Sequence, residues 1–341
     1  ASAITANTAK TGITTAQASA ITANTAKIAG ATATEIGYLS GVTSAIQTQI
    51  DAAGGASALD GLSDAKSEGS NFTGSMILGH QTTGTLSYAT YNTAVGLAAL
   101  DAITTGDNNT AIGYDALTAN TAGNSNTASG YQALYSNTTG NYNTASGMQA
   151  LYSNTEGYSN TASGYGALKT NSTGLENTAY GRDALNKNET GRYNTASGHR
   201  ALYSNIVGYY NTASGHYALY SNTGSQNTAS GYYALKSNTT GDYNTASGKS
   251  ALYENTLGSR NTAYGIAALK ENTEGDYNTA SGGYAGDLIT TGDGNVIFGY
   301  NADVSVNTAE NQIVIGANAT GQGNNYAVIG DEDIERLYAA E

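Results

Sequence analysis

The chain has 341 residues, among them 44 Gly and 27 Tyr but no Cys, Pro or Trp, and a formal net charge of −13. This charge argues against nucleic acid as a partner, because phosphate binding needs clustered Lys and Arg. Without Cys there are no disulfide bonds. The sequence has no run of about 18 apolar residues, so no membrane-spanning helix is predicted.

The chain begins with a low-complexity segment, residues 1–33, that is rich in Thr and Ala. Residues 1–10 and 18–27 have the same sequence, ASAITANTAK. Such a duplication shows regularity without supplying the apolar residues of a core. We interpret residues 1–33 as an extended or weakly helical shaft.

A heptad pattern follows in residues 34–53. A spacing typical of the a/d seam of a coiled coil is shared by Ile36, Leu39, Thr43, Ile46, Ile50 and Ala53. We expect a short trimeric coiled coil that sets the register of three chains. Residues 54–74, rich in Gly, Ser and Asp, are interpreted as a connector to the next part of the chain.

The rest of the chain is dominated by a repeat. At one fixed position of this repeat the triplet Asn-Thr-Ala recurs in twelve successive copies, and every interval between them is 17 residues except one of 16 residues. The triplets begin at Asn92, Asn109, Asn126, Asn143, Asn160, Asn177, Asn194, Asn211, Asn227, Asn244, Asn261 and Asn278. A fixed period of this kind indicates a stack of identical supersecondary units.

A glycine follows each triplet at a constant offset and marks a turn. These turn glycines are Gly96, Gly113, Gly130, Gly147, Gly164, Gly181, Gly198, Gly215, Gly231, Gly248, Gly265 and Gly282. Degenerate copies at 75–79, 295–299, 313–316 and 327–330 extend the array to about sixteen rungs in residues 75–330. Residues 331–341 are taken as a C-terminal tail.

Each rung, with the consensus NTASGYxALYSNTTGxY, offers two short β-compatible stretches that end in Gly. In the rung of residues 126–142, Gly130 and Gly140 are expected to turn the chain with positive φ. Asn126 and Asn137 tolerate the same conformation. Stacked Asn and Thr side chains are also expected to hydrogen-bond along the array.

Ala128, Ala133 and Leu134 recur at fixed places and are the expected core. A helical repeat is the competing interpretation, but Gly at short intervals and abundant Asn, Thr and Ser disfavour helices. We predict an all-β parallel β-solenoid or β-roll. One rung buries little apolar surface to offset its ordering entropy, so we expect a homotrimer.

The segments quoted above resemble bacteriophage tail-fibre proteins, particularly those of phages that infect marine bacteria and cyanobacteria. The resemblance rests on the ASAITANTAK duplicate, on residues 35–50 and on the NTAxGYxALYxNTxG array. It implies a homotrimeric fibre of the virion that contacts a host-surface glycan or protein. Such fibres often carry a C-terminal chaperone domain that removes itself, and this sequence contains none.

Three copies of the repeat, at residues 108–113, 311–316 and 325–330, are also similar to the head repeats of trimeric autotransporter adhesins. Those heads are left-handed parallel β-rolls. The 17-residue period is longer than is usual there, and the membrane-anchoring barrel of that family does not occur in this sequence. The similarity of the repeats makes a bacterial extracellular adhesin or surface filament the first alternative function, although the missing barrel weighs against an adhesin of that type.

No catalytic arrangement stands out, and we expect neither an enzyme nor a cofactor. Ser is a repeat element everywhere, and carboxylates lie singly in turns. His199 and His216 are one period apart and are weak candidates for a metal site. Variable surface positions account for them equally well.

Tyrosine columns are the most distinctive surface feature. One column contains Tyr135, Tyr152, Tyr203, Tyr220 and Tyr253, and another contains Tyr142, Tyr193, Tyr210, Tyr243 and Tyr277. The first column is the candidate contact for a glycan or another receptor, since exposed rings stack on sugars. The favoured alternative is that neighbouring rings pack on each other.

The leading hypothesis is a structural protein of a phage tail fibre, located on the virion or otherwise outside the cell. Its expected partners are copies of itself, other virion or filament proteins and the host surface. A second alternative, an ice-binding β-solenoid, is suggested by the column of Thr93, Thr110, Thr127 and Thr144. That function favours a flat Thr-x-Thr face, which the sequence lacks.

Overall fold

The computed structural model describes residues 65–67, 75–78 and 88–331, which lie in one compact unit, Ser63–Glu341. In these residues the regular structure is β-strand, and they contain no helix, hence none that is long and apolar enough to cross a membrane. The strands are β1 (Ala65–Ser67), β2 (Met76–Leu78), β3 (Thr93–Val95), β4 (Thr110–Ile112), β5 (Thr127–Ser129), β6 (Thr144–Ser146), β7 (Thr161–Ser163), β8 (Thr178–Tyr180), β9 (Thr195–Ser197), β10 (Thr212–Ser214), β11 (Thr228–Ser230), β12 (Thr245–Ser247), β13 (Thr262–Tyr264), β14 (Thr279–Ser281), β15 (Val296–Phe298), β16 (Ile313–Ile315) and β17 (Ala327–Ile329).

The strands form a parallel β-solenoid, as the repeat predicted. From β2 to β17, each strand pairs in parallel with the next, and equivalent residues are opposite each other, as in Thr127↔Thr144 and Ala128↔Ala145. β1 lies in the segment predicted as a connector and pairs antiparallel with β2. The predicted shaft (residues 1–33) and coiled coil (34–53) lie outside the described residues.

Each complete rung contains one three-residue strand rather than the two β-compatible stretches expected from the sequence. The second stretch, after the turn glycine, is a series of turns because its residues alternate in the sign of φ. In the rung of β5, Gln132 and Leu134 have φ of 56° and 52°. Left-handed conformation is unfavourable for such side chains, so the neighbouring rungs must stabilise it.

Hydrogen bonds between rungs supply that stabilisation. The Gln132 N–H donates to the Tyr114 carbonyl of the preceding rung at 2.9 Å, and the Leu134 N–H donates to Ala150 of the following rung at 3.0 Å. Alternation of φ thus directs alternate amides up and down the stack. The backbone of the turns is paired almost as completely as that of the strands.

The asparagines do not have the role expected at corners. Neither Asn126 nor Asn137 has positive φ, and both are fully buried. The Asn137 Nδ2 donates to Asn120 Oδ1 at 2.7 Å, and the Asn126 Nδ2 donates to the Gly140 carbonyl at 2.8 Å. The predicted hydrogen bonding along the Asn stack is therefore present, and it forms two internal ladders.

The turn glycines of the twelve triplets all have positive φ, between 124° and 145°. In Gly130 an added Cβ would lie 2.6 Å from the Gly147 carbonyl oxygen, so the rungs approach too closely for any side chain. Gly140 does not have positive φ. It is needed because the buried asparagines occupy the space where its Cβ would project.

Ala128, Ala133 and Leu134 and their equivalents form a continuous buried column, as the repeat predicted. The one short rung, between β10 and β11, keeps this column in register, since Ala213 pairs with Ala229. The turn near Thr223 is one residue shorter than in the other rungs. The Thr223 N–H still donates to the Thr239 carbonyl at 2.7 Å. Outside this turn the rung keeps the pattern of its neighbours.

Candidate functional site

The side chains with the richest chemistry lie between each turn glycine and the next buried asparagine. In the rung of β5 these surface positions are occupied by Tyr131, Gln132, Tyr135 and Ser136. We call the four columns that pass through these residues the tyrosine face. Because the strands are in register, equivalent positions lie directly above one another and about 4.8 Å apart.

Most of the predicted receptor-contact tyrosines pair with each other on this face. Tyr135 and Tyr152 stack with ring centroids 5.0 Å apart, and Tyr203 and Tyr220 stack at 5.2 Å. Tyr253 meets Tyr233 edge to face at 5.8 Å. The favoured interpretation, that neighbouring rings pack on each other, describes this geometry. Stacked rings leave their edges and hydroxyl groups for contact with a ligand.

The other predicted column lies on a different side of the rung, immediately before the buried Asn. Tyr193 and Tyr210 stack there at 4.8 Å. The Arg260 guanidinium lies over Tyr243 at 5.3 Å and over Tyr277 at 5.2 Å. These tyrosines have positive φ, which turns their rings outward at a corner of the rung.

Charge is divided unevenly along the array. Residues 88–168 contain four Asp or Glu and no Lys or Arg, whereas residues 169–270 contain nine Lys or Arg and five Asp or Glu. Residues 271–331 contain eight Asp or Glu and again no Lys or Arg. An acidic protein therefore carries a basic segment in its middle rungs.

The basic segment coincides with the densest group of aromatic rings on the tyrosine face. We call this group the central patch. It consists of Arg182, His199, Arg200, Tyr203, His216, Tyr217, Tyr220, Tyr232, Tyr233, Lys236 and Tyr253. These residues extend from the rung of β8 to the rung of β12.

Arg200 occupies the middle of the patch. Its Nη1 donates to the Tyr217 hydroxyl at 2.9 Å, and its guanidinium lies 5.5 Å from the Tyr203 ring centre. Asp183, which is buried, lies between two arginines, with Oδ2 at 3.5 Å from Arg182 Nε and 3.6 Å from Arg200 Nε. The hydrogen bond that Arg200 donates to the Tyr217 hydroxyl comes first among the influences that raise the Arg200 pKa.

Lys236 occupies the next part of the patch. Its Nζ donates to the Tyr253 hydroxyl at 2.8 Å and lies 4.9 Å from the centres of both the Tyr233 and Tyr253 rings. The hydrogen bond with Tyr253 raises the Lys236 pKa. Cation–π contacts and these hydrogen bonds hold the ammonium group in place and keep it charged.

The rings of His199 and His216 contact each other, as their spacing of one period suggested. Their ring centroids are 5.0 Å apart, and the His216 ring stacks on Tyr232 at 5.2 Å. Burial and the neighbouring His216 and Arg200 lower the His199 pKa. Within the described ranges, no cluster of three His, Cys, Asp or Glu side chains is arranged to hold a metal ion.

The sequence interpretation selected Tyr203, Tyr220 and Tyr253 but missed the residues that complete the patch, above all Arg200, Tyr217 and Lys236. These occupy columns that vary from rung to rung, so the consensus conceals them. The signal that reveals them is the concentration of Lys and Arg in residues 169–270.

A second surface is formed by the outward side of the strands. In most of the middle rungs it presents Thr and Ser, as in Thr195 and Ser197 of β9, which are both exposed. Towards the ends of the array the same positions are apolar and remain exposed, as in Ile112, Phe298 and Ile315. We call this surface the strand face.

Neither a protein-family model nor a curated protein matches the sequence.

Proposed function

We propose that the chain is a structural protein of a phage tail fibre, which forms a homotrimer and attaches to a host-surface glycan or protein. The observation that carries this proposal is the combination of a solenoid with fully buried Asn ladders and a central patch of aromatic and basic side chains. The ladders give a rigid support. The patch places Tyr and Arg, which are enriched at binding sites, on its surface.

The homotrimer is supported by the ends of the strand face. Phe298, Ile313 and Ile315 are 43%, 41% and 38% exposed in a single chain. Contiguous exposed apolar side chains are typical of surfaces that another protein covers. In the proposed trimer, copies of this chain cover them, while the tyrosine face stays open to solvent.

Two measurements test the proposal. Light scattering of the full chain is expected to give the mass of three chains, and a fluorescently labelled chain is expected to bind to the surface of host cells. A monomeric mass at micromolar concentration would contradict the trimer. Absence of binding to any cell that the source virus infects would contradict the attachment role.

A bacterial extracellular adhesin or surface filament is the first alternative, since the same solenoid and patch suit that role. The two functions are distinguished by the genes beside this one. Virion genes favour the fibre, and secretion or anchoring genes favour the adhesin.

Ice binding is the second alternative, and one observation favours it. On the strand face, Thr and Ser hydroxyls of β5, β6, β9, β10 and β11 are exposed in two regular columns. This Thr-x-Ser array is the nearest feature to the Thr-x-Thr face considered above. Thermal hysteresis in solution would support this function, and its absence would remove it.

A further inference from the structure

We propose that the central patch binds an anionic polysaccharide, one that carries carboxylate or sulfate groups, with the sugar chain lying along the stack of rungs. This inference rests on the proposed attachment function and specifies its ligand class. It follows from the charges, the stacking of the rings, the unpaired polar atoms and the rigidity of the patch.

The charges on this part of the tyrosine face favour an anion. Between the rungs of β8 and β12 the face carries the five cations Arg182, Lys187, Arg200, Lys236 and Lys249, together with two carboxylates, Asp183 and Glu254. Asp183 is buried beneath the two arginines. The field above the patch is therefore positive.

The flanking rungs confine the ligand to the patch. Every charged side chain in residues 88–168 and 271–331 is acidic. A polyanion is repelled there, so its binding position is set by the boundaries of the basic segment. Over the rungs of β8 to β12, this site is about 20 Å long, since strands in a sheet are about 4.8 Å apart. That length suits a short stretch of a linear polymer.

The orientation of the rings also favours an anion. Tyr203 and Tyr220 stack face to face, so their facing surfaces are covered and their edges and hydroxyl groups remain for contact with a ligand. The edge of an aromatic ring is the positive part of its quadrupole, and the phenol O–H is a donor. Carboxylate, sulfate and sugar hydroxyl oxygens are the matching acceptors.

Two polar atoms of the patch lack partners. Arg200 Nε and His216 Nδ1 are buried atoms without a hydrogen bond, and in the described part of the chain only one other side-chain atom shares this property. Leaving a buried polar atom unpaired is unfavourable. Arg200 Nε faces the buried Asp183 carboxylate at 3.6 Å, so an oxyanion over Arg200 is met by the other N–H groups of the guanidinium.

Rigidity lowers the cost of binding. Two of the five cations are held by tyrosine hydroxyls, Arg200 by Tyr217 and Lys236 by Tyr253, and the backbone beneath them is hydrogen-bonded from rung to rung. Side chains that are ordered before binding lose little entropy when the ligand arrives. Arg200 and Lys236 are therefore preorganised to bind an anion.

The test uses the full chain on surfaces coated with alginate, which is a polyuronate, with chondroitin sulfate, or with neutral dextran. We expect binding to the two anionic polymers and none to dextran. Raising NaCl from about 0.05 M to about 0.5 M is expected to weaken this binding more than tenfold, because salt screens exposed charges. Equal binding to dextran, or no dependence on salt, would overturn the inference.

Variants locate the site. The double variant Arg200→Gln/Lys236→Gln is expected to weaken alginate binding at least about tenfold, since each charge-assisted bond contributes substantially. The control Arg192→Gln/Arg260→Gln removes the same net charge away from the tyrosine face and is expected to bind as the parent does. Circular dichroism and light scattering confirm that both variants keep their structure. Equal loss in both variants would contradict a local site.

The outcomes separate this inference from the proposed function. A trimer that attaches to cells but ignores both anionic polymers would overturn the ligand class alone. A monomer that attaches to no cell would overturn the fibre. Stronger binding to single-stranded DNA than to alginate would show that the patch is a nucleic-acid site, because stacked aromatics and cations serve such sites also.

Discussion

The middle rungs and the C-terminal rungs share one backbone but differ in what stabilises them. In β9 the sequence is Thr-Ala-Ser, with one small buried side chain, whereas β15 and β16 have Val-Ile-Phe and Ile-Val-Ile. The middle rungs compensate with buried Asn that bond from rung to rung. At the C-terminal end, the apolar side chains are larger and Gln312 takes the place of Asn. Hydrogen bonds between buried side chains thus contribute more in the middle rungs, and burial of apolar side chains contributes more in the C-terminal rungs.

The largest effect is expected from a methyl group at a turn glycine of the middle rungs. Gly198→Ala forces Ala into a φ of 134° and places its Cβ 2.5 Å from the Gly215 carbonyl oxygen. We expect a loss of at least about 3 kcal/mol from strain of this kind, measured by chemical denaturation. The control is Gly283→Ala, where the nearest atom to an added Cβ is 3.5 Å away. A similar loss in both would contradict the account of close rung approach.

The next largest effect is expected in the column of buried asparagines, which contains Asn194 in the middle rungs and Gln312 at the C-terminal end. Asn194→Ala leaves the Gly208 carbonyl and the Asn211 N–H without the bonds they now share with Asn194, at 2.8 and 2.9 Å. We expect a loss of roughly 2–6 kcal/mol in the free energy of unfolding, because each of the two buried unpaired groups costs about 1–3 kcal/mol.

Gln312→Ala is the matched change at the C-terminal end. Among the described residues, the Gln312 side chain bonds to Ser305, donating from Nε2 to Oγ at 2.7 Å and accepting the Ser305 N–H with Oε1 at 3.1 Å. Its removal is expected to cost about 1–2 kcal/mol, since no rung above depends on that side chain. If denaturation shows Gln312→Ala to be as harmful as Asn194→Ala, the two regions do not differ as described.

A third change concerns the apolar strand face. Phe298→Ser/Ile315→Ser is expected to leave the fold of a single chain intact, since both side chains are exposed in it. In the proposed trimer they are covered, so the variant is expected to shift the mass towards that of one chain. Ser197→Ala/Ser214→Ala, on the middle of the same face, is the control. An unchanged trimer in the first variant would place the interface elsewhere.

The smallest effect is a dependence on pH at the C-terminal rungs. Burial, together with the neighbouring Asp287 carboxyl, raises the pKa of Asp303 from 3.8 to about 7, although the N–H groups of Val304 and Leu288 bond to its carboxylate and act in the opposite direction. A raised folded-state pKa means that the protonated form favours the fold. This contribution is complete below about pH 3.8 and is lost as pH rises through about 7.

Thermal unfolding is therefore expected to occur at a slightly higher temperature at about pH 5 than at about pH 8. Asp303→Asn has no titrating group at this position and is expected to reduce that difference. An unchanged pH dependence in the variant would assign it to other carboxylates.

The sequence was sufficient to predict the parallel solenoid, because one period fixed the register of every rung. Ala128 and Leu134 were recognisable as core residues for the same reason. The turns were harder to predict. Leu134 and Gln132 have positive φ, which no local propensity favours, and only bonds to adjacent rungs stabilise it. Asn137 was assigned to a corner because its intrinsic preference is for turns, yet it forms an internal ladder.

The central patch was predictable only in part. Tyr203 and Tyr220 belong to a consensus column, so their neighbourhood followed from the period. Arg200 and Lys236 are departures from the consensus, and their contacts depend on side-chain conformations that a repeat does not encode. Variation along a column is thus more informative about binding than its consensus.

The short rung between β10 and β11 has a practical consequence. Omitting a residue near Thr223 leaves the strand register and the alanine column unchanged, so the backbone there tolerates a change of length. In its rung this turn follows the buried Asn222 and lies outside the four columns of the tyrosine face. A foreign peptide inserted after Thr223 would be displayed at one defined height on the solenoid, which makes the position suitable for an epitope tag that reports the orientation of the protein.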